Sequence, residues 1–168
     1  MSITANYLRQ WIRYSIFSME KKKMPRGQPY SIVLADDHVP FREGLRKMLA
    51  EREDLRIVGE VADGMELLNF LRMSTSIPDM AIVDITMPNL GGIEATRRLK
   101  GSHPEMKVLI LTIHKGKGYV NQAFSAGAEG YLLKEDIGTD LFSAIETIRQ
   151  GKLYVSSLST KNSTEETK

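Results

Sequence analysis

The sequence predicts an α/β fold, a doubly wound parallel sheet of five strands with five helices on its faces. Three observations predict it. From Tyr30 onward, short apolar runs alternate with stretches of helical periodicity, the pattern of strands joined by helices. Most of the runs are apolar at consecutive positions, as strands covered on both faces require. Each run ends at a polar or turn residue and the connections are short, so right-handed crossovers place helices on both sides of one sheet.

The elements follow in order. Ile32-Val-Leu-Ala35 is the first strand, after which Phe41, Leu45, Met48 and Leu49 repeat at helical spacing. A turn around Asp54 leads into Arg56-Ile-Val-Gly-Glu-Val61, and Leu67, Leu68 and Leu71 mark the second helix. Met80-Ala-Ile-Val83 is the third strand; Asn89-Leu-Gly-Gly92 turns the chain into a helix bearing Ile93, Thr96 and Leu99, with Gly101 as its stop. Val108-Leu-Ile-Leu111 is the fourth strand. Lys115 and Lys117 with their glycines read as a solvated loop before a weaker helix of Tyr119, Val120, Ala123, Phe124 and Gly127. Tyr131-Leu-Leu133 is the fifth strand, and Ile137, Leu141, Ile145 and Ile148 line the last helix, stopped by Gly151.

Composition narrows the function classes. A chain of 168 residues, 42% hydrophobic and 26% charged, holds one domain plus tails. With no cysteine there is no disulfide framework, thiolate metal site or cysteine nucleophile, which fits the reducing cytoplasm. No apolar run reaches the roughly 18 residues that a transmembrane helix needs. The formal charge of +2 is uneven: residues 1–28 hold six Lys/Arg against one acid, and the remainder 17 against 20. The basic charge therefore sits on a leader and not on a folded face, which argues against nucleic-acid binding by the body. Within the leader, Leu8, Trp11, Ile12 and Ser15 fall at helical spacing, compatible with a short amphipathic helix. Residues 1–28 are read as a flexible or dispensable basic extension. The last 13 residues contain seven Ser/Thr, and 152–168 read as a linker-like tail.

The chemistry lies in the polar residues that end the strands. Strand one runs into Asp36-Asp37, strand three into Asp84, strand four into Thr112 and strand five into Lys134. In a parallel sheet these all project from one edge. Carboxylates gathered in this way repel one another and take up protons unless a cation is present. A hard divalent ion such as Mg²⁺, held by one or two carboxylates, answers that repulsion, and Lys134 adds a fixed charge suited to a phosphoryl group. His38 reads as a helix-start residue, since no zinc-type spacing links it to His103 or His114.

These residues resemble the receiver domain of two-component response regulators, over about 120 residues from Tyr30 to Gly151. The resemblance rests on Leu34-Ala-Asp-Asp-His38, Val83-Asp-Ile-Thr-Met-Pro-Asn-Leu-Gly-Gly92, Leu111-Thr-Ile-His114 and Ala126-Gly-Ala-Glu-Gly-Tyr-Leu-Leu-Lys-Glu-Asp136. The Thr-Ile-His and Gly-Tyr-Leu-Leu-Lys forms look most like the LuxR/NarL-type class. The resemblance implies a flavodoxin-like sheet of strand order 2-1-3-4-5, with the receiver at residues 29–151. It implies that Asp84 accepts a phosphoryl group from a sensor histidine kinase or a small phosphodonor. Asp37, Asp84 and the backbone carbonyl of Thr86 would hold Mg²⁺, with Asp36 acting through water. Lys134 and Thr112 would bind phosphoryl oxygens, Thr112 and Tyr131 would form the switch, and Thr86 and His114 would tune the lifetime of the acyl phosphate. The face of the fourth helix, fifth strand and fifth helix would carry the output, with homodimerisation as one form of it.

Other functions fit less well. A flavodoxin would share the fold, but Ala35-Asp-Asp-His38 would repel its flavin phosphate. An aspartyl-phosphate phosphohydrolase needs a second acid two residues after its nucleophile, where this chain has Thr86. Only 17 residues follow Gly151, too few for a helix-turn-helix module, so specific DNA binding is not expected of this sequence. It reads as a cytoplasmic receiver that is regulatory and not a turnover enzyme, or as the receiver half of a LuxR/NarL-type transcriptional regulator.

Overall fold

A computed structural model describes residues 27–156; the leader through residue 26 and the tail from 157 lie outside the described residues. Six parallel strands form one sheet, β1 (Tyr30–Ala35), β2 (Leu55–Val61), β3 (Met80–Val83), β4 (Lys107–Thr112), β5 (Gly130–Leu133) and β6 (Tyr154–Val155), in the order β2-β1-β3-β4-β5-β6. The helices are α1 (Val39–Ala50), α2 (Gly64–Met73), α3 (Gly92–Ser102), α4 (Lys117–Ser125) and α5 (Ile137–Arg149), with a 3₁₀ turn at Lys134–Asp136. This is the flavodoxin-like arrangement expected from the sequence, with one strand added.

Strand alternation sorts the apolar residues into two cores. Ile32, Leu34, Ile82, Leu109 and Leu111 face α1 and α5, where they meet Leu45, Leu49, Leu141, Ile145 and Ile148. Val33, Ala35, Val83, Val108, Ile110 and Leu133 face the other layer, meeting Leu67, Leu71, Leu99 and Ala123. Each large aliphatic side chain so buried contributes about 1.5–3 kcal/mol. The strands β3 and β5 are buried at every residue, which explains their uninterrupted apolar runs.

The sixth strand is the main difference from the five expected. Beyond Gly151, whose φ of +79° ends α5 as a left-handed glycine stop does, the chain pairs with β5. Tyr154 N–H donates to Glu129 O at 3.0 Å and Ser156 N–H to Tyr131 O at 2.8 Å. The Tyr154 hydroxyl donates to Asp140 at 2.7 Å, and the buried Ser156 hydroxyl bonds the Asp136 carboxylate. Two residues are too short to carry a periodicity, and the strand forms because β5 would otherwise expose an unpaired edge. At Gly101 the expected stop is overrun: α3 continues to Ser102, whose hydroxyl donates back to Arg98 O and Leu99 O, each at 3.2 Å. Lys117, read as loop, is the first residue of α4.

The loop from Asp84 to Gly92 is packed with little slack. Gly92 N–H donates to Ile85 O at 2.9 Å, and a β-carbon on Gly92 would lie 1.9 Å from the carbonyl oxygen of Asp84. Only glycine allows α3 to start so close to that residue. Asn89, at φ +58°, sends its amide to Asp63 at 2.5 Å. Asp63 in turn caps α2 by accepting from Glu66 N–H at 2.8 Å.

At the opposite end of the sheet, the Arg149 guanidinium lies 4.7 Å above the Tyr30 ring and reaches Asp54 at 2.7 Å. Arg52 also pairs with Asp54 at 2.7 Å. The hydrogen bonds from Arg52 and Arg149 hold the Asp54 carboxyl down at about 2. A folded-state pKa below the unfolded value contributes stability that is complete above about pH 4 and is lost as pH falls toward 2. Urea unfolding of wild type and Asp54→Asn should therefore differ at pH 6 and converge by pH 2.

Candidate functional site

Because every strand runs the same way, the residues that end β1, β3, β4 and β5 gather at one edge of the sheet. Ala35 stands opposite Val83 in the register of β1 with β3, and Asp84 N–H donates to Ala35 O at 2.9 Å. This fixes Asp36 beside Asp84. Asp36, Asp37 and Asp84 each offer a carboxylate oxygen within 4.8 Å of the others, the first and last buried and Asp37 exposed. Lys134, from the turn after β5, donates to Asp36 at 2.7 Å and to Asp84 at 3.0 Å. Its ammonium also lies 4.3 Å from the centre of the Phe41 ring on α1.

The electrostatics follow from this packing. Burial pushes the Asp84 carboxyl up, the Lys134 ammonium pulls it down, and the Asp36 charge adds to the upward push; the net shift is upward. Burial draws Lys134 downward, but its hydrogen bonds to the Asp36 and Asp84 carboxylates outweigh it, and the net shift is upward. Three carboxylates face one ammonium, so the cluster keeps a surplus of negative charge and of hard oxygen donors. That set suits a hard divalent cation with oxygen ligands.

The sequence-derived residues divide into two groups. Asp36, Asp37, Asp84 and Lys134 come together as one cluster. Thr112 is fully buried at the end of β4, and its hydroxyl accepts from His114 N–H at 3.2 Å. Thr86 Oγ1 and His114 Nε2 are hydrogen-bonded at 2.9 Å, bridging the loops after β3 and β4. Tyr131 is fully buried and donates its hydroxyl to His114 O at 2.7 Å. Burial, with the Tyr119 phenol as a smaller contributor, pushes that hydroxyl up to about 12. His38 occupies the N-cap position of α1 without a side-chain cap bond, and its backbone N–H donates to the Asp36 carboxylate at 2.8 Å.

Two contacts escaped the sequence reading. The Arg42 guanidinium bonds the Asp36 backbone carbonyl and pairs with Glu60 at 3.3 Å, tying α1 and β2 to the acidic loop. Tyr119, read only as one position of a helical repeat, stacks on the His114 ring with centroids 4.3 Å apart. No motif marks either residue, because each acts through a partner distant in sequence or in another element.

Residues 32–146 match the family model of the response regulator receiver domain. The chain belongs to that family. Over 124 residues this receiver is 39% identical to the transcriptional regulatory protein DegU of Brevibacillus brevis, covering 74% of this chain and 52% of DegU. It is 33% identical over 127 residues to the response regulator UvrY of Escherichia coli K12, covering 76% and 57%. The chain thus spans about half the length of the curated relatives it matches. Among solved structures, a LuxR-family two-component response regulator from Aurantimonas sp. SI85-9A1 is 36% identical, with a TM-score of 0.74 over 80% of this chain and 94% of that one. The isolated REC domain of RcsB from Salmonella enterica serovar Typhimurium, with the phosphomimetic BeF3-, is 26% identical, with a TM-score of 0.73 over 80% and 98%.

Removing Lys134 should show what its charge does for the receiver. Lys134→Met keeps an apolar stem against Phe41 but leaves Asp36 and Asp84 without their cation, a loss worth about 3 kcal/mol for a buried pair. Urea unfolding at pH 7 in the absence of divalent ions should show that loss. The deficit should shrink as pH falls and the Asp84 carboxyl, already shifted upward by burial, protonates.

Proposed function

We propose that this receiver is a phosphorylation-controlled switch in which Asp84 accepts a phosphoryl group from a sensor histidine kinase or a small phosphodonor. The observation that supports this most is the convergence of three carboxylates and one ammonium at a single sheet edge, with Asp84 buried and bonded to Lys134. The Asp84 oxygen forms a bond to phosphorus as the donor's P–N or P–O bond breaks, giving an acyl phosphate and releasing the donor group. Asp37, Asp84 and the Thr86 carbonyl would hold Mg²⁺, with Asp36 acting through water. When bound, the ion offsets the charge on the transferred oxygens and aligns donor with acceptor.

This chain's own residues do the rest. Lys134 exchanges its hold on Asp84 for a phosphoryl oxygen, and its second contact, to Asp36, keeps it aimed at the site. Thr112 turns its hydroxyl from His114 N–H to another phosphoryl oxygen, which loosens the loop after β4. Tyr131, bonded to that same loop, carries the change to the face of α4, β5 and α5. The domain catalyses only its own phosphorylation and dephosphorylation and acts in the cytoplasm. Among the described residues no helix is long and apolar enough to cross a membrane. The names and lengths of the relatives favour a second reading, in which this is the receiver half of a LuxR/NarL-type transcriptional regulator whose DNA-binding module lies outside the sequence. Both readings share the same site chemistry.

Intact mass after incubation with acetyl phosphate and Mg²⁺ tests the proposal. One added phosphoryl group is expected, absent in Asp84→Asn and absent without Mg²⁺; label retained by Asp84→Asn would remove Asp84 from its role. Light scattering with beryllofluoride and Mg²⁺ should show a doubled mass if phosphorylation drives pairing through α4, β5 and α5. An unchanged mass would confine the output to other partners.

A further inference from the structure

The bridge between Thr86 and His114 lies over the boundary between β3 and β4, whose register pairs Val83 with Ile110. Thr86 follows Asp84 by two residues and His114 follows Thr112 by two, so their side chains meet across the mouth of the crevice at 2.9 Å. In the unphosphorylated protein the backbone of His114 is held at both ends, its N–H on Thr112 at 3.2 Å and its carbonyl under the Tyr131 hydroxyl at 2.7 Å, and the first of these is the tie that Thr112 gives up to the phosphoryl group. A fixed backbone does not fix a side chain. Ile113 is 69% exposed and Lys115 points to Glu135 at 2.8 Å, so neither neighbour packs the imidazole. The ring is steadied from α4, where Tyr119 lies against it with centroids 4.3 Å apart and planes 17° from parallel.

We propose that Tyr119 is a positioning residue for hydrolysis of the acyl phosphate, holding His114 on Thr86 and thereby keeping water from the phosphoryl group. This rests on Asp84 being the phosphoacceptor. Hydrolysis forms a bond from water oxygen to phosphorus and breaks the bond from phosphorus to the Asp84 oxygen. The carboxylate keeps the electron pair, the water proton passes to solvent, and inorganic phosphate leaves. While the bridge is closed, the Thr86 hydroxyl and His114 Nε2 satisfy each other and neither orients an incoming water. Loss of the stack frees the imidazole to leave Thr86, which opens the path and exposes two polar groups that bind water.

The test uses the full chain, loaded with acetyl phosphate and Mg²⁺, desalted to remove donor, and followed by intact mass. Tyr119→Ala should lose its phosphoryl group about fivefold faster than wild type, the scale of a lost aromatic contact. Tyr119→Phe keeps the ring and should keep the wild-type half-life. His114→Ala and the His114→Ala, Tyr119→Ala double variant should decay at the same rate, because Tyr119 acts only through His114. A Tyr119→Ala half-life equal to or longer than wild type overturns the inference, as does an additive double variant or a Phe variant that decays like Ala. Uptake by Asp84→Asn equal to that of wild type removes the Asp84 reading and this inference with it. Normal uptake with an unaltered Tyr119→Ala half-life removes this inference alone.

Discussion

The constraint on which the structure turns is the burial of Asp36 and Asp84 side by side against one ammonium. A parallel sheet has no freedom to avoid it: the register that pairs Ala35 with Val83 sets both carboxylates at the same level of the same edge. The desolvation of two charges is a standing cost that Lys134 offsets only in part, which is why the Asp84 carboxyl stays shifted upward despite its hydrogen bond. A group in that condition gains from any added positive charge. The site is therefore poised toward a cation by the same packing that makes the fold compact, since the register of the buried strands beneath it sets the two carboxylates side by side.

Backbone geometry carries the second half of that constraint. Gly92 brings the start of α3 within contact of the Asp84 carbonyl, and the chain between them is cross-tied through Asn89 to Asp63 at the start of α2. Asp84 is thus positioned by two helices as well as by its own strand. A side chain at residue 92 would have to displace either the helix or the Asp84 backbone, so the glycine serves the acidic cluster although it contributes no atom to it.

Much of this was legible in the sequence, and the limits of that legibility are physical. Consecutive apolar residues in β1, β3, β4 and β5 identify strands buried on both faces, and the polar residue after each strand identifies the edge. Asp36, Asp84 and Lys134 could be placed together from that rule alone. The final strand could not, since Tyr154 and Val155 join the sheet only because the β5 edge is open to them. Gly101 misleads for a related reason: the Ser102 hydroxyl turns back onto the Arg98 and Leu99 carbonyls of the last turn, and α3 runs one residue past the glycine. Arg42 and Tyr119 stayed invisible because an ion pair to Glu60 and a ring stack on His114 leave no periodic trace.

Tyr131 shows how a small domain ties distant parts together through one residue. Its hydroxyl holds the loop after β4 by the His114 carbonyl, while its own backbone carbonyl holds the chain's exit through Ser156 N–H. Ser156 in turn bonds Asp136, two residues beyond Lys134. The ring is fully buried, so its hydroxyl cannot exchange His114 for water without carrying the ring outward and opening a cavity in the layer formed with Leu99 and Ala123. Such a cavity is costly in a close-packed interior, which holds the ring in place. Because the same residue pairs with β6, its ring and its hydroxyl are tied to that strand as well. The loop facing the acidic cluster and the strand leading out of the domain are therefore joined by a continuous run of hydrogen bonds through β5.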